Sequence, residues 1–296
     1  MTNLSPISRI EPLSSFYDFR ATVDVLRLDL LHPVVSGNKW FKLKEYLADA
    51  GGKTLLTFGG SYSNHIVATA AAASERGLQS VGVIRGEEPA VYSPTLVQAK
   101  EYGMHLFFIS RDAYKNKIIP PEVYSRYSAE ALYIVPEGGY GIQGMQGAKD
   151  ILLLNRTQKY THIISAVGTG TTLAGLTAAA EEHQQVIGIP VLKNNLSLSE
   201  EIRHLLPAEK KNRFQLLHDY HFGGYARYKL ELIQFMNDFF KKTGIPTDFV
   251  YTAKAFYAAF HLLQNGTFSD TDKILLVHTG GLQGNRSLQN GTLIFG

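Results

Sequence analysis

Short apolar runs alternating with glycine-stopped helical segments constrain this chain more than any other feature. Runs at 54–58, 80–84, 105–109 and 132–135 read as strands, with helical patterns over 64–76 and 93–102 between them. Gly77 and Gly103 stand just past those helices, where a left-handed stop favours glycine. Parallel strands need a crossover long enough to hold a helix, so this alternation predicts an α/β fold with a mostly parallel sheet. Residues 48–140 have the size of one compact α/β unit. Its expected exit is Pro136-Glu137-Gly138-Gly139-Tyr140-Gly141.

The remaining pattern predicts a second, larger unit. It reads as a helix at 144–154, a strand at 162–167, a glycine loop, a helix at 172–182 and a strand at 186–191. Helices follow at 199–206 and 226–242, then a short strand end at 247–251, a helix to 264 and a buried strand at 273–278. Strand-like residues 23–30 have little core of their own, so residues 1–47 are expected to join residues 141–296. Hydrophobic residues make up 45%, enough to fill two such cores.

Composition also removes several functions from consideration. The net charge of +3 is interspersed, which argues against nucleic acid or an anionic membrane as partner. No run approaches the roughly 20 apolar residues of a membrane span, and Met-Thr-Asn-Leu-Ser-Pro lacks a leader pattern, so a cytoplasmic location is expected. Without cysteine there is no disulfide, thiolate nucleophile or zinc–cysteine site, and the histidines lack ligand spacing, so no metal is expected.

Ser36-Gly37-Asn38-Lys39-Trp40-Phe41-Lys42 is a turn running into an amphipathic helix, with Lys39 and Lys42 on one face. Far downstream, Gly168-Thr169-Gly170-Thr171-Thr172 lies between a strand and a helix, where amides, hydroxyls and a positive helix end can hold a phosphate. The same loop also reads as a tight turn; its glycine spacing does not fit a dinucleotide fingerprint. A reactive amine with a phosphate cradle suggests pyridoxal phosphate (PLP) held as a Schiff base. Gly59-Gly60-Ser61-Tyr62-Ser63-Asn64-His65 is an ordinary helix start with Ser63 or Asn64 as cap, and equally a place for a substrate carboxylate. Tyr251 and Thr279 end apolar runs, but from sequence alone Tyr251 is indistinguishable from Tyr220, Tyr225 or Tyr228.

Together these segments resemble the fold-type II PLP enzymes, in the branch of 1-aminocyclopropane-1-carboxylate deaminase and D-cysteine desulfhydrase. Five ordered segments carry the resemblance: Gly37-Asn38-Lys39-x-x-Lys42-Leu43, Gly59-Gly60-x-x-Ser63-Asn64-His65, Thr169-Gly170-Thr171, Thr247-Asp248-x-Val250-Tyr251-Thr252 and His278-Thr279-Gly280-Gly281. It implies two open, twisted, mostly parallel sheets with flanking helices, as in the tryptophan synthase β-like fold. It implies Lys39 as Schiff-base and proton-moving lysine. Lys42 and residues Gly168 to Thr172 would hold the phosphate, Asn64 the ring oxygen, and Thr279 would face the pyridine nitrogen. Ser63, Asn64 and His65 would bind the small amino-acid substrate, with Ser63 also acting in proton transfer and Tyr251 and Tyr225 as active-site tyrosines. Relatives of this branch are often homodimers.

Ring-opening deaminases in the branch carry Glu after the tyrosine and Leu in His-x-Gly-Gly; here Thr252 and Thr279 stand there. A threonine hydroxyl favours a protonated pyridine less than a carboxylate does. That pair therefore resembles D-cysteine desulfhydrase, which releases sulfide, pyruvate and ammonia. Cyclopropane deamination to 2-oxobutanoate, a PLP-binding protein with little catalysis, and a nucleotide-binding α/β module stand as alternatives. The chain departs from the branch at Tyr62, where Gln is usual, at Ile66-Val67-Ala68, which lacks a basic residue, and at Ala253, where Gly is usual.

Overall fold

The structure is a computed structural model and describes residues 8–295. Its elements begin with strands β1 (Arg9–Pro12) and β2 (Thr22–Arg27), helix α1 (Asn38–Asp49), β3 (Thr54–Gly59), α2 (Asn64–Glu75) and β4 (Ser80–Arg85). Next come α3 (Pro94–Glu101), β5 (Met104–Ile109), the short α4 (Arg111–Lys115) and α5 (Pro121–Tyr124), and β6 (Leu132–Val135). The chain continues through α6 (Ile142–Leu153), β7 (His162–Val167), α7 (Thr171–Ala179), β8 (Gln185–Pro190), α8 (Leu198–Leu205) and β9 (Phe214–Leu216). It closes with α9 (Leu230–Thr243), α10 (Thr252–Gln264) and β10 (Lys273–His278).

The strands form two sheets. One is parallel throughout, in the order β5-β4-β3-β6. The other runs β1-β2-β10-β7-β8-β9 and is parallel except for the β1 edge. Strands buried along nearly their whole length, such as β3 and β10, are what a sheet covered on both faces requires. In the larger sheet Val167 and Leu275 pack toward α6, α7 and α8, while Ile164 and Leu276 pack toward α9 and α10. β2 pairs with β10, so the N-terminal strands complete the sheet built mainly by the second half of the chain.

Helix α1 is held by two cores. Its Phe41 packs with Met145, Ile151 and Leu173, and its Leu43, Tyr46 and Leu47 pack with Leu55, Val67 and Ala71. Fully burying a side chain of this size contributes about 1.5–3 kcal/mol. The helix is therefore fixed against both sheets, and its lysines with it. Gly147 of α6 lets that helix approach so closely that a Cβ would overlap the Phe41 carbonyl.

Several elements differ from the sequence expectation. Residues 247–251 are a turn rather than a strand end: the Asp248 carboxylate accepts from the amides of Val250, Tyr251 and Thr252 and so closes the backbone on itself. α9 starts at Leu230 rather than 226, because Phe222, Gly223, Gly224 and Ala226 all have positive φ, which no right-handed helix accepts. α7 stops at Ala179 because Ala180 is extended and Gln184 takes the Glu181 amide. β1 and β9 lie outside the sequence expectation; both are partly exposed edge strands of four and three residues, too short for a periodic pattern to register.

Candidate active site

The start of α1 is positioned by backbone contacts with the residues just after β2 and just after β10. The Gly37 amide donates to the Leu28 carbonyl at 3.0 Å, and the Asn38 amide donates to the Thr279 carbonyl at 3.1 Å. The Asn38 side chain then bridges two segments. Its Nδ2 donates to Thr172 Oγ1 at 2.8 Å, and its Oδ1 accepts from Lys39 Nζ at 3.2 Å. The Schiff-base lysine expected from sequence is thus tied to the expected phosphate loop through one amide.

Part of the Lys39 side chain opens onto the cleft, while its amine is surrounded by protein. Burial pushes that amine down to about 8, with the Asp248 carboxylate opposing part of the shift. Lys42 is fully buried and held well below the usual lysine range, by burial and then by the charge of Lys39. Its Nζ lies 3.5 Å from Thr169 Oγ1, and Thr169 Oγ1 lies 3.2 Å from Thr171 Oγ1. Gly170, in the left-handed region at φ 81°, turns the chain into α7. Gly168 leaves room for Tyr251: a Cβ there would come within 3.1 Å of its ring.

On the facing side, Ser63 caps α2, accepting from the Ile66 amide at 3.4 Å. Asn64 Nδ2 donates to the Gly281 carbonyl at 3.1 Å, and its buried Oδ1 has no partner among the described residues. His65 is turned into the wall instead: its Nε2 meets Thr57 Oγ1 at 2.9 Å, and Thr57 donates onward to the Val135 carbonyl. Burial, then Lys39 and Lys42, hold His65 well below the usual histidine range, so it stays neutral.

Two tyrosines complete the cleft. The Tyr225 and Tyr251 rings meet edge to face at 6.1 Å. Burial raises both, Tyr251 well above the ordinary phenol range, so each stays a hydroxyl at neutral pH. The other candidates lie elsewhere: Tyr220 bonds His261, and Tyr228 packs on Phe249. Thr252 is buried with its hydroxyl 2.7 Å from Asp248 Oδ1. Thr279 is buried at the end of β10.

Sequence reasoning singled out neither Asp248 as the group that organises the Tyr251 turn nor Lys254. Lys254 Nζ donates to the carbonyls of His221 and Gly224 at 2.9 and 2.7 Å, anchoring the loop that carries Tyr225. A lysine three residues after Tyr251, on the same helical face, was the available signal.

The donor set fits pyridoxal phosphate. Two lysine amines are buried together, and Lys42 has no acidic partner among the described residues. A buried cation without a counter-charge is strongly disfavoured, so an anion belongs beside it. The hydroxyls of Thr169 and Thr171 and the first amides of α7 supply further donors for a phosphate. The unpartnered Asn64 Oδ1 marks a second polar contact left for a ligand.

The depressed Lys39 amine predicts how the apo protein captures the cofactor. Only the neutral amine attacks an aldehyde. An ordinary lysine near 10.5 is about one part in three hundred neutral at pH 8, whereas here about half is neutral at pH 8. The rate of borohydride-trapped cofactor on Lys39 should rise about tenfold per pH unit up to about 8 and then level off. A rate still climbing steadily to pH 10 would mean an amine that is not desolvated.

Comparison with known proteins gives concordant results. A family model described as "Pyridoxal-phosphate dependent enzyme" matches residues 6–280. A Thermotoga maritima protein named "Putative 1-aminocyclopropane-1-carboxylate deaminase" is 30% identical, covering 95% of this chain and 94% of its own. One of the same name from Pyrococcus abyssi is 31% identical over 88% of this chain and 85% of its own. A crystal structure titled as an ACC deaminase homologue superposes with a TM-score of 0.83 at 30% identity, covering 94% and 90% of the two chains. O-ureido-L-serine synthase shares the fold, with a TM-score of 0.69 at 14% identity, covering 98% and 97%. Among the described residues no helix is long and apolar enough to cross a membrane.

Proposed function

This chain belongs to the pyridoxal-phosphate dependent enzyme family, and within it we propose that the protein eliminates the β-substituent of D-cysteine or a related D-amino acid, giving pyruvate, ammonia and, from D-cysteine, sulfide. The observation that carries this reading is the chemistry at the ends of β10 and the Tyr251 turn. Thr252 and Thr279 stand there, and the carboxylates nearby among the described residues are engaged: Asp248 by three backbone amides and the Thr252 hydroxyl, and Asp29 by Arg27 and His278. Among the described residues this would leave the Thr279 hydroxyl, and no free carboxylate, for a pyridine nitrogen. That suits a reaction in which a good leaving group departs, and suits cyclopropane opening less.

When bound, pyridoxal phosphate supplies a sink for the electron pair left at the substrate α-carbon. Lys39 would hold it covalently; Lys42, Thr169 and Thr171 would hold its phosphate, and Asn64 its ring. Ser63 and the amino end of α2 receive the substrate carboxylate. Lys39 takes the α-proton as an amine that burial keeps partly neutral. Tyr251, whose hydroxyl stays protonated, supplies a proton to the departing sulfur, and Tyr225 orients it.

The second reading, ring opening of 1-aminocyclopropane-1-carboxylate, is favoured by the names of the relatives at 30% identity. Supplying D-cysteine, L-cysteine and the cyclopropane amino acid separately to the holoenzyme decides between them. Sulfide and pyruvate from D-cysteine alone is the expected result. Release of 2-oxobutanoate from the cyclopropane substrate would overturn it in favour of the second reading.

A further inference from the structure

The carboxyl edge of the four-stranded sheet holds more chemistry than the elimination uses. Here β3 delivers the loop of Gly60 and Ser63, β4 ends in Arg85, β5 leads through Ser110 to Arg111, and β6 leads to Glu137. Carboxyl ends of neighbouring parallel strands are where open α/β sheets bind ligands. On this edge, beside the β3 loop, lies a cavity of about 570 Å³ lined by Arg85, Arg111, Tyr114, Lys115 and Lys117. Arg85 connects it to the loop: its Nη2 is 3.8 Å from where a Cβ on Gly60 would stand.

The charges in this cavity are not balanced. Both oxygens of Glu137 are occupied, one accepting from the Tyr114 hydroxyl at 2.5 Å and the other paired with Lys117. Lys117 also lies 4.0 Å from the Tyr114 ring centroid. The other acids beside these cations, Glu87 and Glu88 after β4 and Asp112 on α4, are exposed, as are Arg85, Arg111 and Lys115, and Glu88 accepts from the Tyr92 hydroxyl. Arg85, Arg111 and Lys115 have no acidic partner within ion-pair distance among the described residues. The end of β4 is itself fixed, since the Gly86 amide donates to the Ile109 carbonyl at 2.8 Å. The Arg85 guanidinium also lies 5.8 Å from the Tyr114 ring centroid. A positioned guanidinium presents a planar fork that suits carboxylate, sulfonate or phosphate oxygens.

Adjacent strands lie about 4.8 Å apart, so Arg85 stands one strand from the loop that receives the α-carboxylate. A side chain somewhat longer than that of cysteine spans this gap. We propose that the substrate's side chain ends in an anion, and that Arg85, with Arg111 behind it, binds that anion in this cavity. The inference rests on the elimination reading for the chemistry at the α-carbon and names the class of leaving group. With S-carboxymethyl-D-cysteine, the Cα–H and Cβ–S bonds break, the proton passes to Lys39, and the sulfur leaves with its bonding pair and takes up a proton as mercaptoacetate. The remaining aminoacrylate adds water to give pyruvate and ammonium, with no oxidant or reductant consumed.

The test compares S-carboxymethyl-D-cysteine with its neutral amide, S-carbamoylmethyl-D-cysteine, on the holoenzyme, by calorimetric binding and by pyruvate release. The acid should be preferred at least about tenfold, in line with a charge-assisted hydrogen bond, and Arg85→Met should bring the ratio close to one. Arg111→Met serves as a second variant and should lower the ratio by a smaller factor. Equal binding of acid and amide, or a preference that survives both substitutions, overturns the anion site. D-cysteine turnover without an acid preference removes this inference alone. An acid preference lost in Arg85→Met without any elimination keeps the anion site and removes the elimination reading. Failure of both ligands to bind, with D-cysteine inert, removes both.

Discussion

Lys39→Ala should abolish turnover while leaving the fold intact. Loss of the proton-transfer role alone costs roughly 10²–10⁴-fold, and loss of the covalent attachment adds to it. The fold should persist because the Asn38–Thr172 bridge and the two cores that grip α1 do not involve the Lys39 amine. Cofactor should still bind, through Lys42 and the threonine loop, but borohydride should no longer fix it to the chain. Lys39→Arg separates charge from basicity. It restores a cation, yet arginine does not deprotonate in proteins, so activity should stay absent. Turnover retained in either variant would remove Lys39 from the reaction.

Gly37→Ala should cost both stability and cofactor capture, although it adds only one methyl group. Gly37 adopts φ 64° and ψ −143°, a backbone region closed to residues with a side chain. A Cβ there would overlap the Thr279 carbonyl and come within 2.7 Å of the Gly280 amide nitrogen. Strain of about 1–3 kcal/mol and overpacking of a similar size together predict a drop in melting temperature of about 3–10 °C for a chain of this length. The same carbonyl accepts from the Asn38 amide, and Asn38 holds both Lys39 and Thr172. Borohydride-trapped cofactor should therefore fall together with the thermal midpoint. An unchanged midpoint would show that the turn relaxes without loss.

The Tyr251 turn illustrates why part of the site escapes sequence reading. Thr247 to Tyr251 looks like a strand end because Phe249, Val250 and Tyr251 form an apolar run. The run is instead packed around a buried carboxylate, with Phe249 and Val250 against Leu232 and Met236. Burial raises Asp248, while its amide donors and Thr252 oppose that shift. Nothing local in the sequence distinguishes a turn-closing aspartate of this kind from a solvated one. Likewise, Tyr225 is set apart from Tyr220 and Tyr228 only by which ring meets Tyr251.

Alternation of apolar runs with glycine-stopped helices determined the α/β class and the placement of most strands, because both are periodicities of neighbouring residues. The lysine turn and the glycine–threonine loop likewise announced an amine and an anion site, since each is a local backbone device. Tertiary structure alone decided that these devices share one cleft. It buried Lys39 and Lys42 between two cores, turned His65 into the sheet, tied Asn38 to Thr172, and set Arg85 beside the loop of Gly60 in a cavity it shares with Arg111. Those outcomes depend on contacts between residues far apart in the chain, and on desolvation that only the packed protein imposes.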